Sequence, residues 1–281
     1  MRILFCGDVV GRSGREAILT HIPEIREKLK LDLVVVNAEN AAGGFGITKR
    51  LCEEFYAGGV DVLTLGNHAW AQREIVGYID SDPKLLRPLN YPESTPGVGS
   101  GLYTTAKGER VLVLQVMGRL FMEPVDDPFA AVEKILANHR LGATVAAIFV
   151  DVHAEATSEK MAMGQYLDGR VSLVAGTHTH IPTADAQIFA NGTAYISDVG
   201  MCGDYDSVIG MKKEISIKRF LRPLRTEPFS PADGEASLCG VFVETDPKTG
   251  LATRVAPLRI GGRLAPAWPL DGAEKAAGPD A

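Results

Sequence analysis

The chain has 281 residues, 46% hydrophobic and 23% charged, with a formal net charge of −6. This size allows one large domain or two small ones with a core that needs no covalent staples. The acidic balance argues against a protein that coats nucleic acid, which needs a basic face, but not against a small phosphate-bearing substrate held through metal.

In chain order, Ile3 to Cys6 reads as a short buried strand. Ser13 is placed to cap a helix carrying Ile18, Leu19, Ile22 and Ile25 at helical spacing, with Pro23 expected to kink or break it. Leu31 to Val36 is a second, β-branched strand. Thr48 can cap a helix that stops at Gly58-Gly59. Val60 to Leu65 is a third strand, followed by a helical segment around Gln72 to Ile79. Residues 87–101 are a turn-rich loop, after which Leu102 to Thr105 and Arg110 to Met117 pair as a hairpin about Lys107-Gly108. A helix near Pro128 to Ala137 precedes the strands Val145 to Val150 and Val171 to Ala175. Ala186 to Phe189 and Ala194 to Ser197 form a hairpin across Asn191-Gly192, and Ser237 to Glu244 with Ala252 to Ile260 form another.

The first half is thus β-α-β-α with strands apolar throughout, the pattern of a parallel sheet covered by helices. The second half is more antiparallel. An α/β fold of two facing mixed β-sheets flanked by helices accommodates both. The domain is expected to end at residue 262; residues 263–281, rich in Ala, Gly and Pro, are expected to be a poorly ordered tail.

The cysteines, Cys6, Cys52, Cys202 and Cys239, are isolated, with no C-x-x-C, which argues against a cysteine zinc site and for reduced thiols. The N-terminal apolar run reaches Asp8 too soon for a signal peptide, and no stretch approaches the roughly 20 apolar residues of a membrane helix. A soluble cytoplasmic protein is expected, with no membrane partner.

Five places share one grammar: an apolar strand, then a metal-competent residue at or just past its end. They are Asp8, Glu39-Asn40, Asn67-His68, His153, and His178 with His180. The carboxyl ends of strands in open α/β sheets converge on one crevice, so residues far apart in sequence can meet there. Each motif alone has a plain structural reading: a cap for Asp8, loop polarity for Glu39-Asn40, a tight turn for Gly66-Asn67-His68, a core histidine for His153. His-x-His is the strongest single signal, because residues two apart point the same way if strand geometry persists. Together the residues have the nitrogen and oxygen chemistry of a zinc, iron or manganese site. They are too many for one tetrahedral ion and suit two, with a bridging carboxylate.

The order Asp … acid … Gly-Asn-His … His … Gly-x-His-x-His resembles the calcineurin-like metallophosphoesterase superfamily. More closely, "FCGDVVGRSGR", "NAENAAGG", "TLGNHAW", "HAEATSEK" and "AGTHTHIPTAD" resemble the YmdB family of bacterial metallophosphoesterases, over roughly residues 1 to 262. The resemblance implies a four-layer α/β/β/α sandwich. Two departures from the superfamily pattern stand out. Val10 occupies the place of the histidine in Asp-x-His, and Glu39 replaces the usual bridging Asp. Asn40 is the natural oxygen donor in place of the missing imidazole.

Carried over residue by residue, the resemblance gives one ion Asp8, Glu39, Asn40 and His180, and the other Glu39, Asn67, His153 and His178. The ions would be divalent or mixed-valence, with Fe or Mn favoured over Zn. His68 would be the proton donor, a role suited to imidazole, whose unperturbed pKa lies near physiological pH. The implied activity is hydrolysis of cyclic nucleotides, foremost 2′,3′-cyclic nucleotides. The partner is then a small nucleotide phosphodiester, with no stable nucleic-acid complex; homo-oligomerisation is compatible with the sequence.

Three other readings compete. A 5′-nucleotidase or other phosphomonoesterase would use the same metals. A regulatory protein could retain residual phosphoesterase activity. A dinucleotide-binding unit is opposed by glycines at 7, 11 and 14, which do not fit G-x-G-x-x-G. Phe45, Tyr91 and Trp70 could stack on a base, although packing in the core or rim accounts for each.

Overall fold

The computed structural model describes residues 1–221 and 227–269. In chain order the elements are β1 (Arg2–Cys6), α1 (Gly11–Leu29), β2 (Leu33–Asn37), α2 (Lys49–Ala57), β3 (Val62–Thr64), β4 (Leu85–Leu86), β5 (Ser100–Thr104), β6 (Arg110–Met117), α3 (Pro128–Leu136), β7 (Ala147–His153), α4 (Thr157–Tyr166), β8 (Leu173–Thr177), β9 (Gln187–Ile188), β10 (Ala194–Ile196), β11 (Gly203–Asp204), α5 (Lys213–Leu221), β12 (Ala236–Thr245) and β13 (Ala252–Ile260).

The strands form two mixed sheets. One has the order β11-β12-β1-β2-β3-β4 with β13 on β12; the other has the order β5-β6-β7-β8-β10-β9. Within them β1, β2, β3 and β4 run parallel, as do β6, β7, β8 and β10. Period-2 alternation sends Ile3, Phe5, Val35 and Val241 from the first sheet against Val113, Phe149, Leu173 and Ile196 of the second. The Phe5 and Phe149 rings meet across this layer at 4.7 Å. The opposite faces pack on helices: Leu4 and Val34 with Ile18, Ile22 and Phe55, and Leu114 and Val150 with Val132 and Met163. The expected sandwich of two facing sheets between helical layers is therefore the fold. Among the described residues no helix is long and apolar enough to cross a membrane.

Several local expectations need correction. Helix α1 starts at Gly11 after Val10, without a side-chain cap; Ser13 lies inside it, its hydroxyl donating to the Ala232 carbonyl at 3.3 Å. The helix runs through Pro23, which neither breaks nor ends it. Pro23 is on the exposed face, while Ile18, Ile22, Ile25 and Leu29 hold the opposite face in the core. Thr48 does cap α2, accepting from the Leu51 amide at 3.4 Å. The segment after β3 is two 3₁₀ turns, Arg73–Gly77 and Ile79–Ser81. The first part of the expected tail is attached: Ala267 bridges Arg259, and Trp268 packs on the α1-side core. The rest of that tail, 270–281, lies outside the described residues.

Candidate metal centre

Parallel strands deliver the donors to one edge. Asp8 lies just past β1, Glu39 and Asn40 past β2, and Asn67 and His68 past β3; His153 ends β7, and His178 follows β8. Sheet packing then joins the two sets: His153 Nε2 lies 3.2 Å from Glu39 Oε1.

Two donor groups result. Glu39, His153 and His178 offer atoms all within 4.8 Å of one another, and so do Asp8, Glu39 and His180. Glu39 belongs to both. In the first group His153 Nε2 is also 3.1 Å from His178 Nδ1 and 3.0 Å from Asn67 Oδ1. Ligands about 2.1 Å from a tetrahedral ion are separated by roughly 3.4 Å, so these spacings fit donors around one cation. In the second group Asn40 Nδ2 lies 3.3 Å from His180 Nε2 and 3.1 Å from Glu39 Oε1. The amide nitrogen, not the oxygen, faces these donors. Val10 is buried against Met201 and Met211 and supplies nothing here.

Asp8 Oδ1 tests the fit with metal. It is buried and has no hydrogen-bond partner. A carboxylate oxygen withdrawn from water without a donor is costly, and a cation would satisfy it. The four cysteines are buried, free, and absent from both groups.

Electrostatics agree with a proton competing for a cation site. Burial raises the Asp8 carboxyl pKa against the pull of His180 and His153. Burial would raise Glu39 as well, but His153 and then His68 hold it well below the usual carboxylate range. Burial opposes charge on His153, yet Glu39 and then Asp8 raise it to about 9. His178 is lowered to about 3 by burial and then by His153. Two imidazoles in contact cannot both hold protons, so between His153 and His178 the proton a cation would displace is the one on His153.

The histidine pair is not an extension of β8. That strand ends at Thr177, and His178 and His180 both have left-handed backbone, with φ of 93° and 67°. Two strained residues in one loop aim the imidazoles at different donor groups, which a regular strand would not do. Thr177 orients the His153 ring. Its hydroxyl donates to Asp151 Oδ1 at 2.8 Å and so accepts from His153 Nδ1 at 2.9 Å. Once a cation displaces the Nε2 proton, the lone pair left there would face the donors.

His68 stands apart from both groups. Its amide donates to Glu39 Oε2 at 3.1 Å, while its ring lies nearly perpendicular to that of Phe45, the centroids 4.9 Å apart. It lines a cavity of about 380 Å³ that opens from Glu39, His178 and His180 towards Ile209, Met211 and Phe229. Phe45 is thus beside the site. Trp70 and Tyr91 pack edge-on against each other, and neither lines this cavity.

Gly66 permits the close approach. A Cβ there would lie 2.3 Å from Glu39 Oε2 and 2.4 Å from His153 Nε2. Gly66→Ala is expected to displace both side chains and lower turnover by about 10²-fold, the effect of a misplacement of about 1 Å. Elemental analysis and phosphoester assays of the folded variant check this; wild-type metal content and rate would contradict it.

Comparison with known proteins points the same way. A family model described as YmdB-like protein matches residues 4–258. The chain is 45% identical over 260 residues to the 2′,3′-cyclic-nucleotide 2′-phosphodiesterase of Bacillus subtilis, covering 92% of this chain and 97% of that protein. A hypothetical protein from Thermus thermophilus superimposes with a TM-score of 0.87 at 43% identity, over 94% of this chain and 100% of the other. A phosphatase from Mycoplasma pneumoniae gives 0.86 at 35%, over 93% of each.

Proposed function

The chain belongs to the YmdB-like family, and on that premise we propose that it is a dinuclear metal-dependent phosphodiesterase of cyclic nucleotides, foremost 2′,3′-cyclic nucleotides. The observation that carries the reading is the placement of Glu39 in both donor groups, since two cations side by side require an anion between them. Asp8, Glu39, Asn40 and His180 would hold one ion, and Glu39, Asn67, His153 and His178 the other. Nitrogen and oxygen donors without thiolate suit iron, manganese or zinc, and we favour iron or manganese. When bound, such a pair lowers the pKa of water and polarises phosphoryl oxygens.

The chain's own residues do the rest. The strand ends hold the donors rigidly, so little reorganisation accompanies reaction. Phe45 on one side, with Ile209, Met211 and Phe229 beyond, offers an apolar wall for the nucleoside once the phosphate lies over the donors. His68, outside both donor groups, would be the group that passes a proton to the leaving ribose oxygen. A cytoplasmic location is part of the proposal, in keeping with the four free thiols.

The test is metal analysis of protein purified without added metal, combined with a panel of phosphoesters. About two ions per chain and a preference for 2′,3′-cyclic nucleotides over 5′-nucleotides are expected. Preference for monoesters, in line with the likeness to the Mycoplasma pneumoniae phosphatase, would make the chain a phosphomonoesterase. Absence of metal-dependent hydrolysis would end the reading.

Asn40 requires its own check. As a ligand it must turn its amide to present Oδ1 where Nδ2 now faces His180. A metal-loaded crystal structure is expected to place that oxygen about 2.0–2.2 Å from the Asp8-side ion. A separation beyond about 3 Å would make Asn40 an orienting partner of Glu39 instead.

A further inference from the structure

The His178-Thr179-His180 loop rests on a buried ion pair. Thr179 donates to Asp198 Oδ2 twice, from its amide at 3.1 Å and its hydroxyl at 2.6 Å. Lys160 Nζ, from α4, donates to the same oxygen at 2.8 Å, and Asp198 Oδ1 accepts the Gly200 amide at 2.8 Å. Lys160 is 2% exposed and Asp198 1%. The Lys160 stem runs along β8, where a Cβ on Gly176 would lie 2.7 Å from its Cδ. The flanking histidines are fastened separately: the His178 amide donates to Asp8 Oδ2 at 3.1 Å, and His180 Nδ1 bonds the Ile209 carbonyl at 2.8 Å.

Fold stability alone is a weak reason for this pair. Burying two charges costs desolvation that their attraction roughly repays, and an apolar pair of similar volume is often as stable. What an apolar pair would not do is hold Thr179. A carboxylate oxygen can accept several donors at once, and here it fixes the residue between two imidazoles whose backbones are both left-handed. A strained loop persists only where its surroundings over-determine it. Asp198 supplies that constraint at Thr179, and the Lys160 ammonium, 2.8 Å from the same oxygen, supplies the opposite charge beside it.

We propose that Lys160 and Asp198 are positioning residues that, through Thr179, set the directions of His178 and His180 and thereby the affinity of the centre for its ions. The inference rests on the metal reading above. Removing an outer-shell partner of a metal ligand typically weakens binding by about 10–100-fold. Metal-stripped wild type and the variants Asp198→Asn, Lys160→Met, Thr179→Val and the double variant Lys160→Met/Asp198→Asn are titrated with Mn²⁺ against a competing chelator. Their metal-free thermal unfolding is measured alongside.

Each variant is expected to bind Mn²⁺ about 10–100-fold more weakly. The double variant, with both charges gone, should recover unfolding temperature relative to the singles without recovering Mn²⁺ affinity. Thr179→Val keeps the ion pair intact, so it reports on the loop even if a charge variant fails to fold. Wild-type affinity in folded Thr179→Val or Asp198→Asn, or affinity that returns together with stability in the double variant, overturns the positioning role and leaves the metal reading standing. No Mn²⁺ binding by wild type overturns both.

Discussion

His68→Ala is expected to retain both ions and to hydrolyse a 2′,3′-cyclic nucleotide about 10²–10⁴-fold more slowly, the usual cost of removing a general acid. Geometry motivates separating the two effects. His68 lies outside both donor groups, while Asn67 beside it directs Oδ1 to His153 Nε2 at 3.0 Å. The Gly66-Asn67-His68 turn thus places an amide among the donors and keeps the next imidazole at the cavity wall. A ribose oxygen is a poor leaving group and needs the proton; p-nitrophenolate hardly does. Rates on a p-nitrophenyl diester should therefore fall much less. Metal content and the two rates, measured together, decide the matter. Equal losses with metals intact would make His68 a phosphoryl-binding group, and a lost ion would make it a ligand.

Glu39→Gln should have a different signature, with metal and activity falling together. The carboxylate is 1% exposed and touches His153, Asn40 and the His68 amide. Glutamine preserves shape but removes the shared anion, leaving two cations without a negative charge between them. At least one ion should be lost, and turnover should drop by more than the roughly 10–100-fold that follows loss of an outer-shell partner. Elemental analysis on protein that still unfolds cooperatively separates this from misfolding. Full occupancy with normal turnover would show that Glu39 is no bridge.

Much of the fold is legible in the sequence because its signals are local. Apolar runs such as Ile3 to Cys6 and Val171 to Ala175 mark strands within a residue or two of β1 and β8. Thr48 and the turn Asn191-Gly192 act over a few residues: the structure keeps the cap and the hairpin, although the turn centres on Ala190-Asn191, with the Gly192 amide donating to the Phe189 carbonyl at 2.9 Å. Helix α4 escapes a local reading because its burial inverts the usual pattern: Lys160 is interior while Met161 is 39% exposed. Strands β4 and β11 are two residues long and exist only through their neighbours. Pro23 misleads because a helix interruption is forgiven on a solvent-facing side held by a buried opposite face. Asp198 carries a findable signal: it follows β10 as Asp8 follows β1, by the same strand-end grammar.

The sequence by itself determined which residue types end which strands, because alternation, apolar runs and turn chemistry are properties of neighbours along the chain. Only the tertiary structure decided which of those residues share a donor group. Parallel register among β1, β2 and β3 brings Asp8, Glu39 and Asn67 to one edge, and packing of the second sheet sets His153 against Glu39. These are long-range pairings, set by how two apolar faces interlock. The aim of His178 and His180 was equally beyond local reading. Their left-handed backbone is unfavourable in isolation and is held by Asp8, Ile209 and, through Thr179, Asp198, residues that no local pattern connects to the pair.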